Sequence, residues 1–174
     1  MTRSCIAPPP LASGARVALL SPAGPIADAA DLARAESNAR ALGWEPVVFP
    51  HALARDGYLA GDDAVRAADL NAAIRDPRID GIWCIRGGYG AMRLLDAIDY
   101  GVLSSSPKAV IGYSDITALH LAIRARCDLV SYHGPTARAV LTPFTRQSLD
   151  RAMRRYGDPF ASAPALRWCR EGGA

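Results

Sequence analysis

The chain has 174 residues, half of them apolar and 21% charged, with a formal net charge of +3. This length suits one domain whose core needs no disulfide or metal staple, and the composition excludes a disordered chain. The weak net charge, without a block of like charges, argues against nucleic acid or an acidic membrane surface as partner.

The first apolar run, residues 17–20, reads as a buried strand and is followed by a turn at 21–25. Residues 29–42 are rich in helix formers, and Gly43 stops them. A second strand at 47–49 leads into a loop at 50–55, and Ala67, Leu70 and Ile74 then follow helical spacing. The third strand, 82–85, ends in the loop 86–90, after which Ala91, Leu94, Leu95 and Ile98 form a full helical stripe. A fourth run at 109–111 enters the turn 112–115. Ile116, Leu119 and Ile123 stripe the next helix, with Ser114 or Asp115 expected as its N-cap. The fifth run, 129–132, ends in a turn at 133–135. Beyond Ala139 one helix is expected over 146–156, carrying Leu149, Ala152, Met153 and Tyr156, and 158–174 read as a linker.

Short β-branched runs alternating with helices specify an α/β fold: a doubly wound, mainly parallel five-stranded sheet with helices on both faces. The domain is expected to span 14–157. Ligands of such folds bind beyond the carboxyl ends of the strands, so the five strand-to-helix turns hold the candidates for chemistry.

In Gly112-Tyr113-Ser114-Asp115 a serine sits on a sharp turn before a helix, where its hydroxyl can be a nucleophile and the next amide can hold an oxyanion. The same four residues also fit a plain N-cap, since Ile116 breaks the G-x-S-x-G pattern. Arg86-Gly87-Gly88-Tyr89-Gly90 can converge backbone amides on an anion or simply make a tight turn. It matches neither the dinucleotide fingerprint nor the P-loop. Arg86, at the strand end beside this loop, can pair with a carboxylate or stand as an ordinary solvated arginine. His133 lies on the same rim, His120 is expected to pack in its helix, and His51 shows no partner in the sequence. Trp83 and Cys84 read as core. Cys5, Cys84, Cys127 and Cys169 lack zinc-ligand spacing. No apolar run reaches the length of a membrane span, and no signal-peptide pattern opens the chain. A cytoplasmic protein without metal or organic cofactor is therefore expected.

Residues 81–90, then Ile111-Gly112-Tyr113-Ser114-Asp115-Ile116-Thr117, then His133-Gly134-Pro135, resemble the serine LD-carboxypeptidases (muramoyltetrapeptide carboxypeptidases), as does Ser21-Pro22-Ala23-Gly24. The resemblance implies a cytosolic hydrolase of two domains, which removes the terminal D-alanine from murein tetrapeptides and acts as a homodimer. Ser114 matches the nucleophile, and Asp115 and Gly88 match the amides of the oxyanion hole, with Gly87 second choice to Gly88. Arg86, Gly87, Tyr113 and His133 are the candidate substrate-binding residues, Arg86 by its charge and position. A relative in the family cleaves microcin-type peptidyl adenylates, and these residues do not separate the two substrates.

The family completes a Ser-His-Glu triad from a C-terminal domain. Glu36, Glu45 and Glu171 fall outside the rim loops, so the triad partners are expected beyond this chain and the 174 residues alone are expected to be inactive or nearly so. Two further readings stay open. One is a binding module that holds a carboxylate or phosphate without turnover. The other is that His120 or His133 serves Ser114 from within the domain.

Overall fold

Along β1 (Arg16–Leu20), Val17 and Leu19 face one side of a sheet while Ala18 and Leu20 face the other, and all four are fully buried. A strand covered on both faces needs helices above and below it. The computed structural model, which describes residues 5–154, shows that arrangement. β2 (Glu45–Val48), β3 (Gly81–Cys84), β4 (Ala109–Gly112) and β5 (Tyr132–His133) complete a five-stranded sheet of order β2-β1-β3-β4-β5. Each neighbouring pair is parallel, with Leu19 beside Trp83 and Trp83 beside Ile111.

Helices α1 (Ala29–Ala41) and α5 (Pro143–Arg154) cover one face, burying Ala35, Ala39, Leu149 and Met153 against Val17, Leu19, Trp83 and Ile111. On the other face lie α2 (Asp63–Arg75), α3 (Tyr100–Ser105) and α4 (Thr117–Cys127). Their Leu70, Ile74, Leu103, Leu119 and Ile123 pack on Ala18, Leu20, Ile82, Cys84 and Val110. The doubly wound α/β class expected from the sequence is the fold observed.

Several elements differ in detail. The stripe beginning at Ala91 forms a 3₁₀ segment, Ala91–Ala97, in which Ala91 and Leu94 are buried and Leu95 only partly so. Three-residue spacing is the period of that helix, and the chain re-enters extended backbone at Ile98 before an α-helix can form. The unanticipated α3 follows at once, capped by the Asp99 carboxylate, which accepts from the Val102 amide at 3.1 Å. Of the run 129–132, only Tyr132 enters the fifth strand; Leu129 bridges instead to Ile6 near the N-terminus. Helix α5 starts at Pro143, earlier than its apolar stripe, because Thr142 caps it and proline suits a first helical turn. Tyr156, Cys169, Glu171 and the linker expected at 158–174 lie outside the described residues.

Trp83 is the pivot of the α1/α5 face. It is fully buried, meets Trp44 edge-on at 5.5 Å, and donates from Nε1 to the Pro135 carbonyl at 2.7 Å. That bond ties the centre of the sheet to the turn after β5. Trp83→Phe keeps most of the packing but leaves the Pro135 oxygen without this donor. Denaturant unfolding is expected to show a loss of about 1–3 kcal/mol.

Candidate active site

In a sheet of this order the chain leaves β1 toward one edge and later returns to build the other. The turns after β1 and β3 therefore lie where the strand order reverses, the position at which open α/β sheets bind ligands. The two turns touch through glycine backbone. The Gly24 amide donates to the Gly87 carbonyl at 2.9 Å, and a β-carbon on Gly88 would fall 2.9 Å from the Gly24 α-carbon. Gly88 also has φ of +120°, a conformation that other residues rarely adopt.

Ser114 follows β4 on the neighbouring turn. It is exposed and has φ of +65°, in the left-handed region; Asp128 is the other described non-glycine residue with positive φ. Such a conformation persists only where the surroundings enforce it. Part of the enforcement comes from Gly112, where a β-carbon would lie 2.8 Å from Ile116 Cγ2. The expected N-cap role is not adopted by Ser114 or Asp115. α4 starts at Thr117 without a side-chain cap, and an N-cap requires extended backbone that Ser114 does not have. The Asp115 carboxylate instead accepts from the Ala91 amide at 2.8 Å and so fastens the serine turn to the end of the glycine loop.

The serine and the glycine loop are in contact. A β-carbon added to Gly87 would lie 2.8 Å from Ser114 Cβ and 3.2 Å from its Oγ. Among the described residues Ser114 Oγ has no hydrogen-bond partner, and neither does the Gly88 amide. The Asp115 amide opens a 3₁₀ turn, Ser114–Ile116, whose first amides have no partner within the helix. A free hydroxyl therefore sits between two turns that carry amides able to face a developing negative charge.

Arg86 is partly buried and donates from Nη1 to the Pro25 carbonyl, bracing the turn after β1. Tyr113 and His133 meet edge-on at 6.2 Å beside the serine, and with Gly134, Pro135 and Ala139 they line a hollow of about 250 Å³. Tyr89, 73% exposed, stands on the glycine loop against Tyr58 at 6.4 Å. A larger concavity of about 900 Å³ runs between the end of α1 and the length of α5, from Pro143 to Arg154, and includes none of these groups.

The histidines divide by role. His120 is buried and does more than pack: Nε2 lies 2.9 Å from the Gly112 carbonyl and Nδ1 2.9 Å from Ser131 Oγ. A carbonyl only accepts, so Nε2 carries the proton and neutral Nδ1 accepts from the Ser131 hydroxyl. Both nitrogens are thus occupied, and His120 is not the base for Ser114. His133 is exposed, and among the described residues no hydrogen bond joins it to Ser114. His51, which shows no partner in the sequence, does have one: its Nδ1 is 2.8 Å from Asp69 Oδ1. That pair stands at the β2 edge, three strand spacings or ~14 Å from β4, too far to serve the serine.

Sequence reasoning passed over Arg66. It is 1% exposed, and its guanidinium reaches Pro22, Gly61 and Gly90 behind the glycine loop. The available signal was a charged residue on the helix face that also carries Leu70 and Ala73.

Residues 17–134 match the LD-carboxypeptidase N-terminal domain. A Streptomyces coelicolor protein named as a carboxypeptidase is 46% identical over 145 residues, covering 79% of this chain and 46% of that protein. The murein tetrapeptide carboxypeptidase of Pseudomonas aeruginosa is 41% identical over 135 residues, 75% of this chain and 42% of its own length. Among solved structures, an MccF-like protein from Bacillus anthracis aligns with a TM-score of 0.81 at 29% identity, over 86% of this chain and 47% of that one. The chain spans about half the length of the curated relatives it matches. Among the described residues no helix is long and apolar enough to cross a membrane.

Burial holds the His120 imidazole below its ordinary value of 6.5; the bond to Gly112 opposes this and the neighbouring His133 ring adds to it. The fold keeps His120 neutral whereas the unfolded chain takes up the proton. Its contribution is therefore present above pH ~6.5 and lost as the pH falls below it. Urea midpoints taken from pH ~7.5 to ~5 are expected to decline over that interval, and His120→Gln is expected to flatten the decline.

Proposed function

The chain belongs to the LD-carboxypeptidase family, and from that premise we propose that it carries the nucleophile of a serine carboxypeptidase that removes the terminal D-alanine from murein tetrapeptides. One observation carries this reading: an exposed serine hydroxyl, unpartnered among the described residues, held in left-handed backbone against the Gly87 turn. Ser114 Oγ adds to the scissile carbonyl as a base takes its proton. The amides of Gly88 and Asp115 receive the oxyanion, each donor of this kind contributing about 10²–10³ in kcat. Collapse breaks the C–N bond and releases D-alanine with a proton returned to its amine. Water then attacks the ester and frees the shortened peptide.

Arg86 spends one of its five N–H donors on Pro25 and keeps others for the substrate carboxylate. Tyr113 and His133 line the hollow for the adjoining side chain. The resemblance supplies the base as a histidine and a glutamate of a second domain, and the same reading places the enzyme in the cytoplasm as a homodimer. The microcin-type branch of the family is the reason to test a peptidyl adenylate beside the tetrapeptide.

D-Alanine release from tetrapeptide is the measurement. The 174-residue chain is expected to be slower by about 10³ or more than a form that also carries the second domain, since triad members act as a unit. In the active form Ser114→Ala is expected to abolish release, and activity that survives it overturns the reading. Gly87→Ala pushes a methyl into the serine and is expected to lower kcat by about 100-fold, a misplacement of roughly 1 Å being enough. Affinity for a carboxylate that depends on Arg86, with no turnover in any form of the protein, would favour the binding module.

A further inference from the structure

We propose that Arg66 is a positioning residue for the glycine cradle, setting the amides that face Ser114 from behind; the proposal rests on the hydrolase reading for its consequence but not for its geometry. Arg66 lies in the first turns of α2 with its side chain fully buried. A guanidinium there is costly unless every face of it is bonded, and a core of this kind could be filled more cheaply by an apolar residue.

Its bonds account for its presence. Nη1 donates to the Pro22 carbonyl at 2.7 Å and to the Gly90 carbonyl at 2.9 Å, and Nε donates to Gly61 at 3.2 Å. Those three carbonyls belong to the turns after β1, β2 and β3. Nη2 is paired with the Asp63 carboxylate, whose other oxygen accepts from Arg93 Nε at 2.8 Å, in the 3₁₀ segment that follows the glycine loop. One planar fork thus joins three turns at fixed angles, which an ammonium cannot do.

The loop is shaped to receive it. Gly90 has φ of +104°, and a β-carbon there would lie 2.8 Å from Arg66 Nη1 and 2.5 Å from Leu59 Cδ2. Gly90 is two residues from Gly88, so the guanidinium fixes one end of the cradle while the Asp115 carboxylate holds Ala91 beside it. On the other side, the Pro22 bond steadies the turn whose Gly24 amide donates to Gly87. Arg66 touches no reacting atom; it acts through the backbone it holds.

The test uses Arg66→Lys with two readouts. In the 174-residue chain, hydrogen exchange of the Gly24 and Ala91 amides is expected to quicken about tenfold relative to the amides of β1 and β3. In a form of the protein that releases D-alanine, kcat is expected to fall by about 10- to 100-fold with KM within about threefold. Exchange that is unchanged, or faster throughout the molecule alike, overturns the proposal by making Arg66 an ordinary folding residue; so does an unaltered kcat. Should Arg66→Lys fail to fold, Asp63→Asn retains the guanidinium and removes its counter-charge. It is expected to quicken the same two amides about threefold, and their silence would equally overturn the proposal. Failure of wild-type protein to hydrolyse tetrapeptide would remove the hydrolase reading, while the exchange pattern would still decide whether Arg66 sets the loop.

Discussion

Two backbone turns meet at their steric limit at the ends of β3 and β4, and the rest of the site follows from that contact. The Gly87 position lies so close to Ser114 that a single methyl would displace the serine, and Gly88 and Gly24 face each other with as little space. Backbone can come this near only where side chains are missing. What the approach yields is a glycine turn packed directly against a serine side chain. The Asp115 carboxylate on the Ala91 amide closes the contact from the serine's side.

The sheet underneath makes the contact durable. β1, β3 and β4 are buried on both faces, and Trp83 bonds to Pro135 across the carboxyl rim. Left-handed backbone at Ser114 is an unfavourable conformation for a residue with a β-carbon, of the order of 1–3 kcal/mol. It is held by Ile116 closing on Gly112 and by His120 bonding to the Gly112 carbonyl. The strain falls on a residue whose hydroxyl stands exposed at the carboxyl rim, clear of the helix that follows it.

Beneath the rim, polar side chains serve to connect turns rather than to face solvent. Arg66 reaches three carbonyls from three turns, and His120 links the end of β4 to Ser131 just before β5. Asp69 receives the His51 ring and backbone amide. These groups are satisfied, so their burial costs little stability while it removes alternatives for loop placement.

The architecture was legible in the amino-acid order because its signals are local. Runs of β-branched residues ended by glycine or a polar residue mark buried parallel strands, and the alternation with helices leaves few topologies. Ser114, the glycine loop and Arg86 were legible as a group because strand ends define one rim. Elements whose length depends on neighbours were less so: the 3₁₀ segment from Ala91, the short α3 and the two-residue β5. Chain order alone thus determined the class of fold and which turns share an edge, since periodicity and turn chemistry act over a few residues. Only the tertiary structure decided that Ser114 is left-handed and uncapped, that His51 pairs with Asp69, and that Arg66 lies under the cradle. Arg66 meets Pro22 and Gly90 across 44 and 24 residues, and His51 meets Asp69 across 18. The Ser114 turn is set by how Gly112, Ile116 and His120 pack once the sheet is formed, and propensity along the chain encodes none of these contacts.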